Sequence, residues 1–243
     1  MKKLTGLATI IGAALAAGAL PGCGGGGGSG AMATPPAATF NLQTGIAGLV
    51  SGGQTASVVL SGTVVNSGTS VPFTGTGTYT LAPGASTSFN GEGALSQTQS
   101  ISGTVSAAGQ SAPYSVSVTD YYATGDDAFL GETGTNEYSV AQAPFQYPAT
   151  VMAGSSGILG TTSDYTDSTM SVSLGTTQVS YAVTAISGSS TSVMVAITYQ
   201  VQNAQNSPVE TDITNYNLTA AGGLTFVSAS TQNATESLQV TVQ

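Results

Sequence analysis

Five carboxylates, Asp120, Asp126, Asp127, Glu132 and Glu137, fall within eighteen residues of this 243-residue chain and form its densest cluster of reactive groups. Hard divalent cations take oxygen ligands from carboxylates, carbonyls and Asn. Asp120, Asp126 and Asp127 flank a glycine turn at Gly125, so calcium is the ion this spacing suggests. Crowded carboxylates repel and hold their protons more tightly, and a divalent ion relieves both effects. Neither EF-hand nor RTX spacing is present, and a solvated acidic loop is the plainer reading. Asp164 and Asp167 make a second, sparser candidate. Two acids also serve a glycosidase when they sit about 5–9.5 Å apart across a sugar. The chain has no Trp, Arg or His with which to seat and orient one.

Other catalytic constellations lack their parts. With no histidine, a Ser–His–Asp triad has no base, and the only lysines are Lys2 and Lys3. Gly154-Ser155-Ser156-Gly157 is serine-rich but not a nucleophile elbow, and reads as a Gly/Ser turn. A thiolate or imidazole zinc cage is excluded with its ligands. Two basic residues against eleven acids give a net charge of −9, which excludes nucleic-acid binding through phosphate neutralisation. The adjacent Tyr121 and Tyr122 must face opposite sides of a strand, one inward and one wetted, and a cross-strand structural role is the simplest for the outer ring. Asn217-Leu218-Thr219 and Asn233-Ala234-Thr235 match the N-glycosylation pattern.

The elements that position these groups are strands. From Gln54 onward the apolar period is two rather than 3.6. Ala56, Val58, Leu60 and Val64 share one face of a first strand, and Val71, Phe73, Tyr79 and Leu81 one face of a second. Thr74, Thr76, Thr78 and Thr80 line the opposite face of the second. Such alternation marks antiparallel strands with one buried and one wetted side. Asn66-Ser67-Gly68-Thr69 supplies the turn. The hairpin recurs 41 residues on: Leu60-Ser61-Gly62-Thr63-Val64 returns as Ile101-Ser102-Gly103-Thr104-Val105, and Phe73 as Tyr114. Residues 54–81 and 95–122 therefore read as a duplicated hairpin within one sheet. Val193, Val195, Ile197, Tyr199 and Val201 form the cleanest later strand. No segment past residue 40 shows a convincing helical stripe, so no helix longer than about two turns is expected. The fold class is all-β: an antiparallel two-layer sandwich or an open, half-closed barrel of roughly ten strands.

Lys2 and Lys3 precede an apolar run from Leu7 to Leu20, which reads as a secretory signal rather than a spanning helix. Leu20-Pro21-Gly22-Cys23 follows, and Cys23 is the chain's only cysteine. This arrangement resembles the lipobox of bacterial lipoproteins, with Pro21 an uncommon occupant of its position. The resemblance implies cleavage of residues 1–22 by the lipoprotein signal peptidase and lipidation of Cys23. Gly24 after Cys23, rather than Asp, resembles lipoproteins sorted to an outer membrane. Residues 23–39, rich in glycine, form a flexible tether that holds the domain about 20–25 Å from its anchor. Residues 40–243 form a single β domain.

These features point to a lipid-anchored protein of the bacterial cell envelope, with the membrane met through acyl chains. By elimination, the expected role is non-enzymatic: binding or structural, with envelope polysaccharide or protein as partner and no cofactor beyond calcium. The alternative is a carrier holding a lipid in a half-barrel trough, with an acid-pair glycosidase third.

Overall fold

A computed structural model of the protein describes residues 38–66 and 68–243. The signal segment, Cys23, the tether through residue 37 and Ser67 of the first hairpin turn lie outside the described residues. The helix α1 (Leu42–Gly52) precedes thirteen strands. These are β1 (Gln54–Asn66), β2 (Thr69–Leu81), β3 (Ala85–Phe89), β4 (Glu92–Ala107), β5 (Gln110–Ala123), β6 (Phe129–Gly134) and β7 (Glu137–Phe145). They continue as β8 (Ser156–Tyr165), β9 (Ser173–Ala185), β10 (Ser192–Asn203), β11 (Pro208–Thr219), β12 (Leu224–Asn233) and β13 (Glu236–Val242).

Among the described residues the fold is all-β apart from α1, and every strand pairing is antiparallel. Twelve strands run up and down in sequence order and close into a barrel where β1 meets β13, from Val58 opposite Val242 to Val64 opposite Glu236. The thirteenth, β3, lies outside the ring. It continues the line of β2 along β4, pairing with Glu92–Ser96 while β2 takes Gln99–Ala107. The closed barrel corrects the expected sandwich or half barrel and its strand number. Alternation sets which face of a strand is buried, but both shapes share that pattern. Closure depends on a pairing between the two ends of the domain, which removes both sheet edges.

The duplicated hairpins stand side by side as β1–β2 and β4–β5, joined through β2 and β4. Their registers match: Gly62 faces Phe73, and Gly103 faces Tyr114. The Phe73 ring fills the place beside Gly62 that a Cβ would occupy. Leu60, Val64 and Phe73 are buried, as are their counterparts Ile101, Val105 and Tyr114.

The core is the barrel lumen. Val193, Val195, Ile197 and Val201 of β10 point inward, and Tyr79 stacks on Phe226 at 3.9 Å. α1 caps one end with Leu42, Ile46, Leu49 and Val50, each burial contributing about 1.5–3 kcal/mol. Its eleven residues make three turns, which corrects the expectation of no helix beyond two. The buried Gln97 amide ties it down by donating to the Leu49 carbonyl at 2.7 Å and the Ala82 carbonyl at 3.1 Å. Gly84 N–H donates to the Val50 carbonyl at 2.6 Å. Phe40 bridges to Val151 just before the helix.

Candidate functional site: the barrel interior

Inward positions alternate along each strand, so the polar residues among them face one another across the lumen. Beneath α1 they line a cavity of about 30 Å³ that includes Gln97, Asp120, Tyr122, Tyr147, Tyr199 and Tyr216. That is room enough for water. Burial pushes the Tyr122, Tyr199 and Tyr216 hydroxyls well above the usual phenol range, and the Asp120 charge adds to the shift. They stay protonated at neutral pH and serve as donors rather than bases.

The other end of the barrel is acidic. Glu132, Glu137, Asp164, Glu210, Asp212 and Glu236 are all buried there, in the strand halves that border the β6–β7, β8–β9, β10–β11 and β12–β13 turns. Asp164 is held by hydroxyls: Thr162 Oγ1 donates to Oδ1 and Thr177 Oγ1 to Oδ2, each at 2.8 Å. Glu137 Oε1 accepts from Ser139 Oγ at 3.1 Å, and Glu210 Oε2 from Asn233 Nδ2 at 3.0 Å. Asp212 differs. It is 1% exposed, and neither carboxyl oxygen accepts a hydrogen bond of ordinary geometry. Burial, then the neighbouring Glu210, holds its carboxyl well above the usual range.

The carboxylates grouped by sequence do not come together. Asp120 faces the lumen from β5. Asp126 and Asp127 sit in the β5–β6 turn on the rim near α1. Asp126 Oδ1 accepts from Ala128 N–H at 3.2 Å and Oδ2 from the Gln146 amide, while Asp127 adopts a left-handed φ of 53°. Asp164 and Asp167 are separated likewise. Asp167 is exposed in the β8–β9 turn, and the Thr169 hydroxyl and N–H, at 2.6 and 2.8 Å, hold its carboxyl below the usual range. Among the described residues, no group of three or more His, Cys, Asp or Glu is arranged to hold a metal. Tyr122 points into the core and Tyr121 stacks outside on Phe89 at 4.4 Å, in the cross-strand role its sequence position suggests.

Sequence reading passed over Glu210, Asp212 and Glu236. A signal was present: Glu210 and Asp212 share their parity with Tyr216 and Leu218, which are buried.

The outer wall is of another character. Thr74, Thr76, Thr78 and Thr80 of β2 stand opposite Ser106, Thr104, Ser102 and Ser100 of β4. The hydroxyls continue onto β5, where Ser106 meets Ser111 at 2.6 Å and Thr98 meets Thr119 at 3.0 Å. No charged side chain projects outward from β1, β2 or β5.

A scan against models of protein families finds no match to this chain, and searches of curated proteins and of solved structures find none either.

Proposed function

We propose that this protein is a lipid-anchored lipoprotein of the bacterial envelope, with an outer-membrane location, whose barrel is a non-enzymatic binding or structural module. The observation that carries this reading is the sorting of side chains across the barrel wall. The lumen is filled by apolar groups and buried acids, and the outside of β1, β2, β5 and the β2-paired part of β4 is uncharged and rich in Ser and Thr. A membrane-inserted barrel has the opposite arrangement, apolar outward and polar inward. The wall therefore suits water and neutral hydroxyl-rich partners such as envelope polysaccharide, with attachment to the membrane left to Cys23.

Two further features support a role without catalysis. The lumenal tyrosines are held in their neutral form, and the cavity beneath α1 is about tenfold smaller than the smallest ordinary ligand pocket. The closed barrel offers a lipid carrier no half-barrel trough, and the larger grooves, of about 350 and 610 Å³, lie along α1.

Two measurements test the proposal. Cys23→Ser should leave an unprocessed precursor that takes up no labelled palmitate, and a wild-type chain processed without lipid would refute the anchor. Full-length protein in detergent should co-sediment with insoluble envelope polysaccharide. Replacing Thr76, Thr78 and Thr104 together with Glu should weaken that association several-fold. Glycan hydrolysis by the wild type would overturn the non-enzymatic reading.

A further inference from the structure

We propose that the acidic end of the lumen holds one divalent cation, calcium in chemical type, on Asp212, Glu210 and the Thr231 hydroxyl. The register of β11 and β12 brings these groups together. Asp212 stands opposite Thr231, and Glu210 opposite Asn233. Glu210 and Asp212 are two residues apart on β11, so both project to the lumenal side.

Asp212 is the second, independent indication. It is 1% exposed and Thr231 is 0% exposed. Both carboxyl oxygens of Asp212 and the Thr231 hydroxyl oxygen lie buried with no hydrogen-bond partner of ordinary geometry. Buried carboxylate oxygens that accept no hydrogen bond of ordinary geometry are costly in a folded interior unless something positive meets them. No side chain among the described residues can do so, because the chain's only cations are Lys2 and Lys3. What remains is a proton or a metal ion. A single proton neutralises one of the two carboxylates and leaves the charge of the other, whereas a divalent ion neutralises both.

The donor set selects the ion. It contains oxygen only, two of its groups are carboxylates, and their charge balances a divalent ion. This is hard-cation chemistry, to which calcium adapts with irregular geometry and mixed carboxylate, hydroxyl and water ligands. Two carboxylates rather than three leave coordination positions for water. Asn233 Nδ2 donates to Glu210 Oε2 at 3.0 Å and so orients the second carboxylate. The register slips between Val201 and Gln202, beside Glu210, at the β10–β11 end. Bulges of this kind accompany sites at barrel rims. The site is distinct from the β5–β6 turn, where Asp126 accepts from the Ala128 N–H and the Gln146 amide.

The experiment is calcium titration of the full-length protein in detergent after stripping with EDTA, by isothermal calorimetry. The expected result is one calcium per chain. Affinity should fall at least tenfold between about pH 7.5 and pH 5, because the ion competes with the Asp212 proton. Asp212→Asn should weaken binding at least tenfold, and the double change Asp126→Asn with Asp127→Asn should leave it unchanged. Should Asp212→Asn fail to fold, Thr231→Val takes its place, with an expected loss of at least threefold at an unchanged circular dichroism spectrum. The proposal is overturned if the stripped wild type binds no calcium, or if binding survives Asp212→Asn or Thr231→Val at full strength. Loss of binding in the turn variant would also overturn it, by placing the ion on the rim.

Discussion

Asp212 concentrates the chemistry of this molecule in one side chain. Its neighbours are Glu210 on its own strand, Thr231 on β12, Tyr199 opposite on β10 and the charge of Glu132 from β6. None is positive, so the ionised form is disfavoured in the fold. The folded chain therefore binds the Asp212 proton more tightly than the unfolded chain does. Stability that is present when both states are protonated falls as pH rises past the ordinary carboxylate range toward the raised folded value. In EDTA, the urea midpoint should decline between about pH 5 and pH 8. Asp212→Asn keeps the shape, removes the charge and should flatten that slope, raising the midpoint at the upper end. A midpoint that climbs steadily with pH in the wild type, or an identical slope in the variant, would contradict this account. Asp167 carries the opposite shift, but it is solvent-exposed in a turn and its effect is screened.

Among the elements, α1 shows best what the sequence concealed and why. Leu42, Ile46, Leu49 and Val50 recur at the spacing of one helical face, so the stripe is present. Gly45, Gly48 and Gly52 obscure it, each costing about 1 kcal/mol of helix propensity relative to Ala. Packing explains Gly45, since a Cβ there would meet Leu224 at 3.0 Å and the Gly222 carbonyl at 3.1 Å. The helix is thus held by the barrel rather than by its own composition. Gln97 is the main polar tie, and Gln97→Leu would leave the Ala82 carbonyl without that donor. The expected loss is about 1–3 kcal/mol, read from urea unfolding, with the β-sheet spectrum kept. Unchanged stability would mean that α1 rests on its apolar face alone. The strands were more legible, because Val58, Leu60, Phe73 and Tyr79 obey period two without interruption. β3 was not, since Ala85-Ser86-Thr87-Ser88 offers no apolar alternation and pairs only because β4 outruns β2. The acidic cluster is divided for a related reason. Chain proximity joined Asp120 to Asp126 and Asp127, whereas the strand directs Asp120 inward and the turn carries the others to the rim.

At the scale of the whole molecule, the controlling contact is the one between the ends of the domain. Val58 pairs with Val242 and Val64 with Glu236, so the ring closes only when the last strand arrives. No local pattern announces such a pairing, and this is why a half barrel and a closed one read alike. The same contact makes β13 disproportionate to its seven residues. Removing residues 236–243 exposes the backbone edges of both β1 and β12, and takes the buried Leu238 and Val240 out of the core. Two such apolar losses cost about 2–5 kcal/mol each, comparable together with the total stability of an ordinary domain. The truncated chain should therefore lose its cooperative unfolding transition, rather than persist as an open twelve-strand sheet with a slightly lower midpoint. Urea denaturation followed by far-UV circular dichroism distinguishes the two outcomes. A truncated protein that unfolds cooperatively near the wild-type midpoint would show that closure is dispensable, and that the duplicated hairpins with their neighbours carry the fold.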